Sequence, residues 1–352
     1  MNRRKLIKII SATSLLPFMS KIGHGLNVKN EPNTGYEIIK PNKLKLGDKI
    51  GIIAPASNAS TPEEIYKATE TAKYFGLVPV FGENLMSGDG YKTRSVQGRI
   101  DDLHSMFVNK NINAIMCIRG GYGSSSLLDK IDYDLIKKNP KIFIGYSDIT
   151  ALHIAIHQIT GLITFHGPVM LSSFSDYTIN YFRKALFDLR PIGLINNPGS
   201  TKIRNNNPIH TISSGIAEGK LVGGNLSLIS SLMGTKYELN CNNKILFLED
   251  VGEKPYSLHR MLTQLKQSGK LDNANGVIIG KCDDCQPSGS QNSLWDYSEL
   301  EAYEDIFKDY SKPVFSGMLI GHTKEQLTLP IGVEIRIDAD KGSLDILESG
   351  LS

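Results

Sequence analysis

Residues 141–158, KIFIGYSDITALHIAIHQ, constrain the fold more than any other stretch of the chain. Ile142, Phe143 and Ile144 form a short continuous apolar run between Pro140 and Gly145, the pattern of a strand buried on both faces. After Asp148 the period changes. Ile149, Leu152, Ala155 and Ile156 fall three and four apart, on one face of a helix. Ser147 therefore occupies the turn between a buried strand and a helix. A hydroxyl held there points out of the carboxyl edge of a sheet, where the first helical amides are free to stabilise an anion. This is the logic of a nucleophile elbow, although G-Y-S-D lacks the second glycine of G-x-S-x-G. Capping the helix is the plainer use of Ser and Asp at the same place.

The same alternation continues on either side. The run 49–54 (KIGIIA) is a first buried strand, closed by Pro55-Ala56-Ser57. Thr61-Pro62-Glu63-Glu64 opens a helix with a capping residue, an early proline and two acids in its first turn. Ile65, Ala68, Ala72 and Phe75 make its apolar face, and 77–80 (LVPV) is a second strand, which completes a parallel crossover unit. Residues 95–109 spell another helix, and 114–118 (AIMCI) another buried strand. That strand runs into Arg119-Gly120-Gly121-Tyr122-Gly123, with a helix expected from Ser124. Such a turn can cradle a phosphate or offer bare amides to an oxyanion, but G-G-x-G is neither a dinucleotide fingerprint nor a Walker loop. A tight turn needing positive φ is the simpler use of these glycines. Residues 162–169 (LITFHGPV) read as one more strand, with His166 near its end. Residues 44–189 are thus expected to form a doubly wound parallel-sheet α/β domain, with Ser147 and the glycine turn on its carboxyl edge.

Residues 190–214, rich in Gly, Pro and Asn, are expected to link this domain to a smaller, sheet-based one over 215–352. The run 244–248 (KILFL) is a buried strand ending in Glu249-Asp250, and acids there are costly unless solvated, paired or used. A helix is expected over 253–267, and short strands at 276–280, 314–319, 327–330, 333–337 and 344–347. His322 stands in a Gly-His-Thr turn just past one of them. A lone His is more often a satisfied residue than a base, and a solvated strand end is the plain reading of Glu249.

A length of 352 residues allows two domains with separate cores. The net charge of +3, without a basic stripe interleaved with aromatics, excludes nucleic acid as an expected partner. No apolar run is long enough for an ordinary membrane span. The start M-N-R-R-K-L-I-K, followed by a weakly apolar stretch, looks like a twin-arginine export signal. Residues 1–43 are read as that leader and a loose lead-in, which places the protein in the periplasm or cell envelope, with the cytoplasm as the alternative. Cys117 lies in an apolar strand and is expected to be buried and inert. Cys282-Asp-Asp-Cys285 has no second pair or nearby histidine to make a zinc site, and would be free to oxidise after export.

Seven short motifs in order carry a resemblance that spans about Ile50 to Leu347. They are G-I-I-A-P-A-S from Gly51, I-R-G-G-Y-G from Ile118, I-G-Y-S-D from Ile144 and H-G-P from His166. G-x-L-V-G-G-N from Gly219, L-F-L-E-D from Leu246, and Gly321-His322 with L-P-I-G from Leu329 complete the set. On these the chain resembles the LD-carboxypeptidases, the muramoyltetrapeptide carboxypeptidase family of serine peptidases. The resemblance implies a Ser-His-Glu triad of Ser147 as nucleophile, His322 as general base and Glu249 as its orienting carboxylate. It implies an oxyanion site from the amides of Asp148 and of Gly120 or Gly121, a substrate carboxylate contact for which Arg119 is placed, and a substrate-binding role for Asn225. The active site would lie in the cleft between the two domains, where their closure could gate activity. The implied substrate is a murein tetrapeptide cut before its terminal D-alanine, without metal or cofactor, by a homodimer. Two alternatives stand beside it: a self-immunity peptidase acting on a peptide–nucleotide antibiotic, for which Trp295 is the one tryptophan able to clamp a base, and a non-catalytic periplasmic binding protein. The export-like leader and the C-x-x-C pair are departures from the usual member.

Overall fold

A computed structural model describes residues 37–86, 88, 95–199, 207–286 and 298–352. The leader with Arg3-Arg4, part of the 190–214 stretch and Trp295 lie outside the described residues. The first half alternates as its periodicity requires: β1 (Lys49–Ile53), α1 (Pro62–Tyr74), β2 (Val78–Phe81), α2 (Val96–Val108) and β3 (Ala114–Cys117). It continues through α3 (Tyr133–Lys138), β4 (Ile142–Gly145), α4 (Thr150–Thr160), β5 (Thr164–His166) and α5 (Asp176–Phe187). Strands β2, β1, β3, β4 and β5 lie side by side in that order, all parallel. The winding reverses between β1 and β3, and a crevice opens at the carboxyl ends of strands on either side of such a point. Residues 124–130 form a 3-10 helix where an α-helix was expected, because the three serines that open it favour turns over helix interiors.

The second half holds β6 (Gly193–Ile195), β7 (His210–Ser213), β8 (Ile216–Asn225), α6 (Leu226–Ser231) and β9 (Lys244–Glu249). After α7 (Pro255–Gln267) and α8 (Lys270–Asn273) come β10 (Gly276–Gly280), α9 (Glu299–Phe307) and β11 (Val314–Met318). The short strands β12 (Leu329–Ile331), β13 (Glu334–Asp338) and β14 (Ser343–Ile346) follow. An eight-stranded mixed sheet results, in the order β6-β14-β13-β8-β9-β10-β11-β7. Its two edge strands, β6 and β7, both come from the stretch that composition reads as a linker. Conversely β12, expected in the second sheet, pairs antiparallel with β5 of the first, Leu329 opposite His166. Strands of three or four residues carry too little periodicity to reveal their sheet.

Two apolar clusters fill the interior, and each draws on both sheets. One joins Ile115 and Phe143 to Leu246, Leu248 and Val277; the other joins Ile52 and Ile144 to Phe247 and Ile278. The apolar packing is shared across the two halves. No helix among the described residues is long and apolar enough to cross a membrane.

Candidate active site

Ser147 stands two residues past β4, at the start of a 3-10 turn, Ser147–Ile149, that leads into α4. Its φ of 64° lies in the left-handed region, which costs a non-glycine residue about 1–3 kcal/mol. Strain of this kind presents a nucleophile above a strand–helix turn. The hydroxyl caps neither the turn nor the helix. Instead Oγ lies 3.0 Å from Nε2 of His322. A β-carbon on Gly120 would lie 2.9 Å from Ser147 Cβ, so only glycine lets the 119–123 turn approach this closely.

Glu249 ends β9 with its side chain fully buried, and its Oε2 accepts from Nδ1 of His322 at 2.8 Å. Gly321 makes that reach feasible. Its φ is 80°, and a β-carbon there would meet Glu249 Oε2 at 1.9 Å. Burial pushes the Glu249 carboxyl up, but His166 and His322 beside it outweigh this and hold it at about 2. Burial likewise pulls His322 down, and the Glu249 carboxylate more than offsets it, leaving the imidazole above its ordinary value. With the Nδ1 proton committed to Glu249, neutral His322 presents an unprotonated Nε2 to the serine hydroxyl. That is the tautomer a general base needs.

The two turns around Ser147 are tied together by buried polar groups. Asp148 accepts the Ser124 amide on Oδ2 at 2.8 Å, and its carbonyl accepts Ser124 Oγ at 2.5 Å. Arg99, also buried, donates through Nη1 to the carbonyls of Pro55 at 3.0 Å and Gly123 at 2.8 Å, and through Nη2 to Ser126 Oγ at 3.1 Å. The Tyr122 amide is spent on Ser57 Oγ at 3.3 Å, whereas those of Gly120 and Gly121 are not part of the turn's own bonding. Asp148, Gly120 and Gly121 are thus held in one clamped assembly beside the hydroxyl.

Ser147, His322, Arg119, Gly120 and Gly121 line a single cleft of about 250 Å³, together with Tyr146, Val169, Leu171 and Ser172. Arg119 is partly exposed there and pairs with Glu64 of α1, Nη1 to Oε1 at 3.0 Å. Asn225, expected to bind substrate, does not line this cleft. It is buried at the start of α6, where Oδ1 accepts the Leu228 amide at 3.2 Å and Nδ2 donates to Asp250 Oδ1 at 3.1 Å. These bonds cap the helix and hold the residue after Glu249. A larger groove of about 860 Å³ runs along α1 and Phe174, but the threonine hydroxyls that line it, those of Thr69 and Thr71, donate to backbone carbonyls. Chemistry, not size, selects the smaller cleft.

Sequence reasoning missed two side chains of this neighbourhood. The Tyr146 ring stands 4.8 Å from that of His322, edge to face. His166, the last residue of β5, puts Nε2 3.7 Å from Glu249 Oε1, beyond hydrogen-bond length. The available signal was its place at the end of a strand on the same sheet edge as Ser147. Cys282 and Cys285 form a disulfide, and the free Cys117 thiol is buried and pushed well up by that burial. Among the described residues, no three His, Cys, Asp or Glu side chains gather in a way that could hold a metal ion.

A hydroxyl, an imidazole and a buried carboxylate in this relay can support nucleophilic attack on an acyl group. Comparison with known proteins places the chain among peptidases. Residues 50–167 match the LD-carboxypeptidase N-terminal domain, and residues 218–337 the LD-carboxypeptidase C-terminal domain. The probable murein peptide carboxypeptidase of Bacillus subtilis is 37% identical, over 89% of this chain and 95% of its own. The microcin C7 self-immunity protein MccF of Escherichia coli is 31% identical over 88% of this chain and 96% of its own. A solved structure of MccF without ligand superposes with a TM-score of 0.81 at 30% identity, covering 89% of this chain and all of that one. MccF has also been solved in complex with aspartyl sulfamoyl adenosine. The muramoyltetrapeptide carboxypeptidase of Oxalobacter formigenes superposes with a TM-score of 0.73 at 26% identity, over 86% of this chain and 99% of its own. From its paired domains and these relatives, the chain belongs to the LD-carboxypeptidase family of peptidases.

Proposed function

We propose that this protein is a serine carboxypeptidase that removes the terminal D-alanine of murein tetrapeptides, with Ser147, His322 and Glu249 as its catalytic triad. The observation that carries the reading is the unbroken relay from Ser147 Oγ through His322 to Glu249, at 3.0 and 2.8 Å. Ser147 Oγ attacks the carbonyl carbon of the bond before D-alanine as His322 Nε2 takes its proton. The tetrahedral oxyanion is held by the amides of Asp148 and of Gly120 or Gly121. Collapse expels D-alanine, whose amine takes the proton from His322. Water, deprotonated by the same Nε2, then releases the shortened peptide from Ser147. Arg119 exchanges its partly exposed bond to Glu64 for the free carboxylate of D-alanine; a bridge so exposed to water is weak enough to give up.

The test is incubation with purified murein tetrapeptide. Release of D-alanine, undiminished by a chelator, is expected; an intact peptide after prolonged digestion contradicts the proposal. A second reading, a self-immunity peptidase acting on a peptidyl nucleotide, is favoured by one observation: the superposition on MccF is closer than that on the muramoyltetrapeptide enzyme. A peptidyl sulfamoyl nucleoside tested in parallel, and cut more efficiently than the tetrapeptide, would select it. We further propose that the enzyme works in the cell envelope, a location that the Arg3-Arg4 leader and the Cys282–Cys285 disulfide both favour. Replacing both arginines with lysine is expected to leave it in the cytoplasm, and unchanged export would refute this placement.

A further inference from the structure

His166 is buried with both ring nitrogens unpartnered, and Oε1 of the equally buried Glu249 has no hydrogen-bond partner either. Buried polar atoms are almost always paired, and each exception calls for an explanation. Here the exceptions face one another: His166 Nε2 and Glu249 Oε1 are 3.7 Å apart. The backbone around His166 adds a second observation. Residue 166 lies opposite Gly145 of β4, two residues before Ser147, and opposite Leu329 of β12, the strand that follows His322. One residue thus stands between the strands that carry the nucleophile and follow the base, with its side chain against the acid from the other sheet.

We infer that His166 is a positioning residue of the triad, donating Nε2–H to Glu249 Oε1 so that Oε2 stays aimed at His322. This rests on the triad reading above. A movement of less than 1 Å closes the contact, and hydrogen bonds of resting active sites commonly tighten on substrate binding. The surroundings offer His166 no competing partner among the described side chains it faces. His153 of α4, whose ring centroid is 6.3 Å away, gives its Nε2–H to the Gly145 carbonyl at 2.9 Å, and burial pushes it down to about 3, so it carries no charge. Tyr146 and Phe247 supply ring contacts at 6.2 and 5.0 Å, and Glu249 is the anion that His166 faces. On the far side of Glu249, His322 also feels Asp250 and Asp283. Without the donor, the carboxylate holds the His322 proton harder.

The experiment compares wild type, His166→Phe, His166→Gln and Ser147→Ala on murein tetrapeptide, each first shown to be folded by thermal melting. His166→Phe is expected to lower kcat about 10–100-fold, the usual loss for a group that orients a catalytic ligand, with KM within about twofold. Its acid limb of kcat/KM should move to higher pH. His166→Gln, whose amide nitrogen replaces Nε2, should recover most of kcat and return the limb. A folded His166→Phe protein with wild-type kcat and an unmoved limb overturns the inference, as does His166→Gln performing no better than His166→Phe. If the phenyl ring prevents folding, His166→Asn, too short to reach Glu249, takes its place in the same contrast with His166→Gln. Activity surviving Ser147→Ala would instead sink the triad reading itself.

Discussion

At the scale of single residues, the proposed chemistry depends on Glu249 staying ionised and His322 becoming neutral. The Glu249 carboxyl, at about 2, is charged at any pH where the protein works. His322 is the group that titrates. Because its proton is held above the ordinary value of 6.5, kcat/KM should fall as pH drops through that raised point, which a pH–rate profile measures. The stability signs differ. A depressed carboxyl stabilises fully above its ordinary 4.5 and loses this as pH falls toward 2, whereas His322 stabilises below 6.5 and loses this as pH rises through its folded value. Gly321→Ala, with a β-carbon driven into Glu249 at positive φ, should cost about 1–3 kcal/mol by denaturant titration and abolish turnover. The place of Ser147 in a strand–helix turn was legible because the strand, the turn and the helix around it are all local in sequence. The neighbour His166 was not, since its partner Glu249 arrives from the other sheet and no local period encodes that meeting.

Elements hold the site through their turns. Arg99, on α2, bonds the turns after β1 and β3, and Asp148 bonds the turn after β3 to that after β4. Arg99→Leu would remove the bond to the Pro55 carbonyl and one of those to Gly123, whose carbonyl keeps Ser126. It should cost about 2–4 kcal/mol, at the rate for bonds to a charged donor, and lower kcat as the turns lose their register. Urea titration and steady-state kinetics measure the two effects; unchanged values of both would deny the clamp. The Cys282–Cys285 turn likewise braces the second sheet's contribution. Asp283 pairs with Val251 and its carbonyl accepts the Gly252 amide at 2.9 Å, just past Glu249-Asp250. Replacing both cysteines with serine should lower kcat severalfold, in an assay of tetrapeptide hydrolysis. Long strands and amphipathic helices were readable from their periods. The edge strands β6 and β7 were not, nor was the sheet that β12 joins, because three or four residues pair by backbone and carry almost no side-chain pattern.

The whole molecule is two sheets over shared apolar clusters, with the proposed site where they meet. Ser147 comes from one sheet, Glu249 from the other, and His322 from the segment between β11 and β12, which run in different sheets. Since both clusters mix residues of the two halves, calorimetry should record one cooperative unfolding transition, and two separated transitions would contradict a shared interior. Fold class and the motif order were legible because they depend on repeated local patterns. The joint core was not, since an apolar residue does not announce which sheet will cover it. What most directly tests the account is D-alanine release from purified murein tetrapeptide by wild type and Ser147→Ala, measured side by side. A loss of about 10³-fold or more in the variant is predicted, and a variant that still releases D-alanine at the wild-type rate would contradict it.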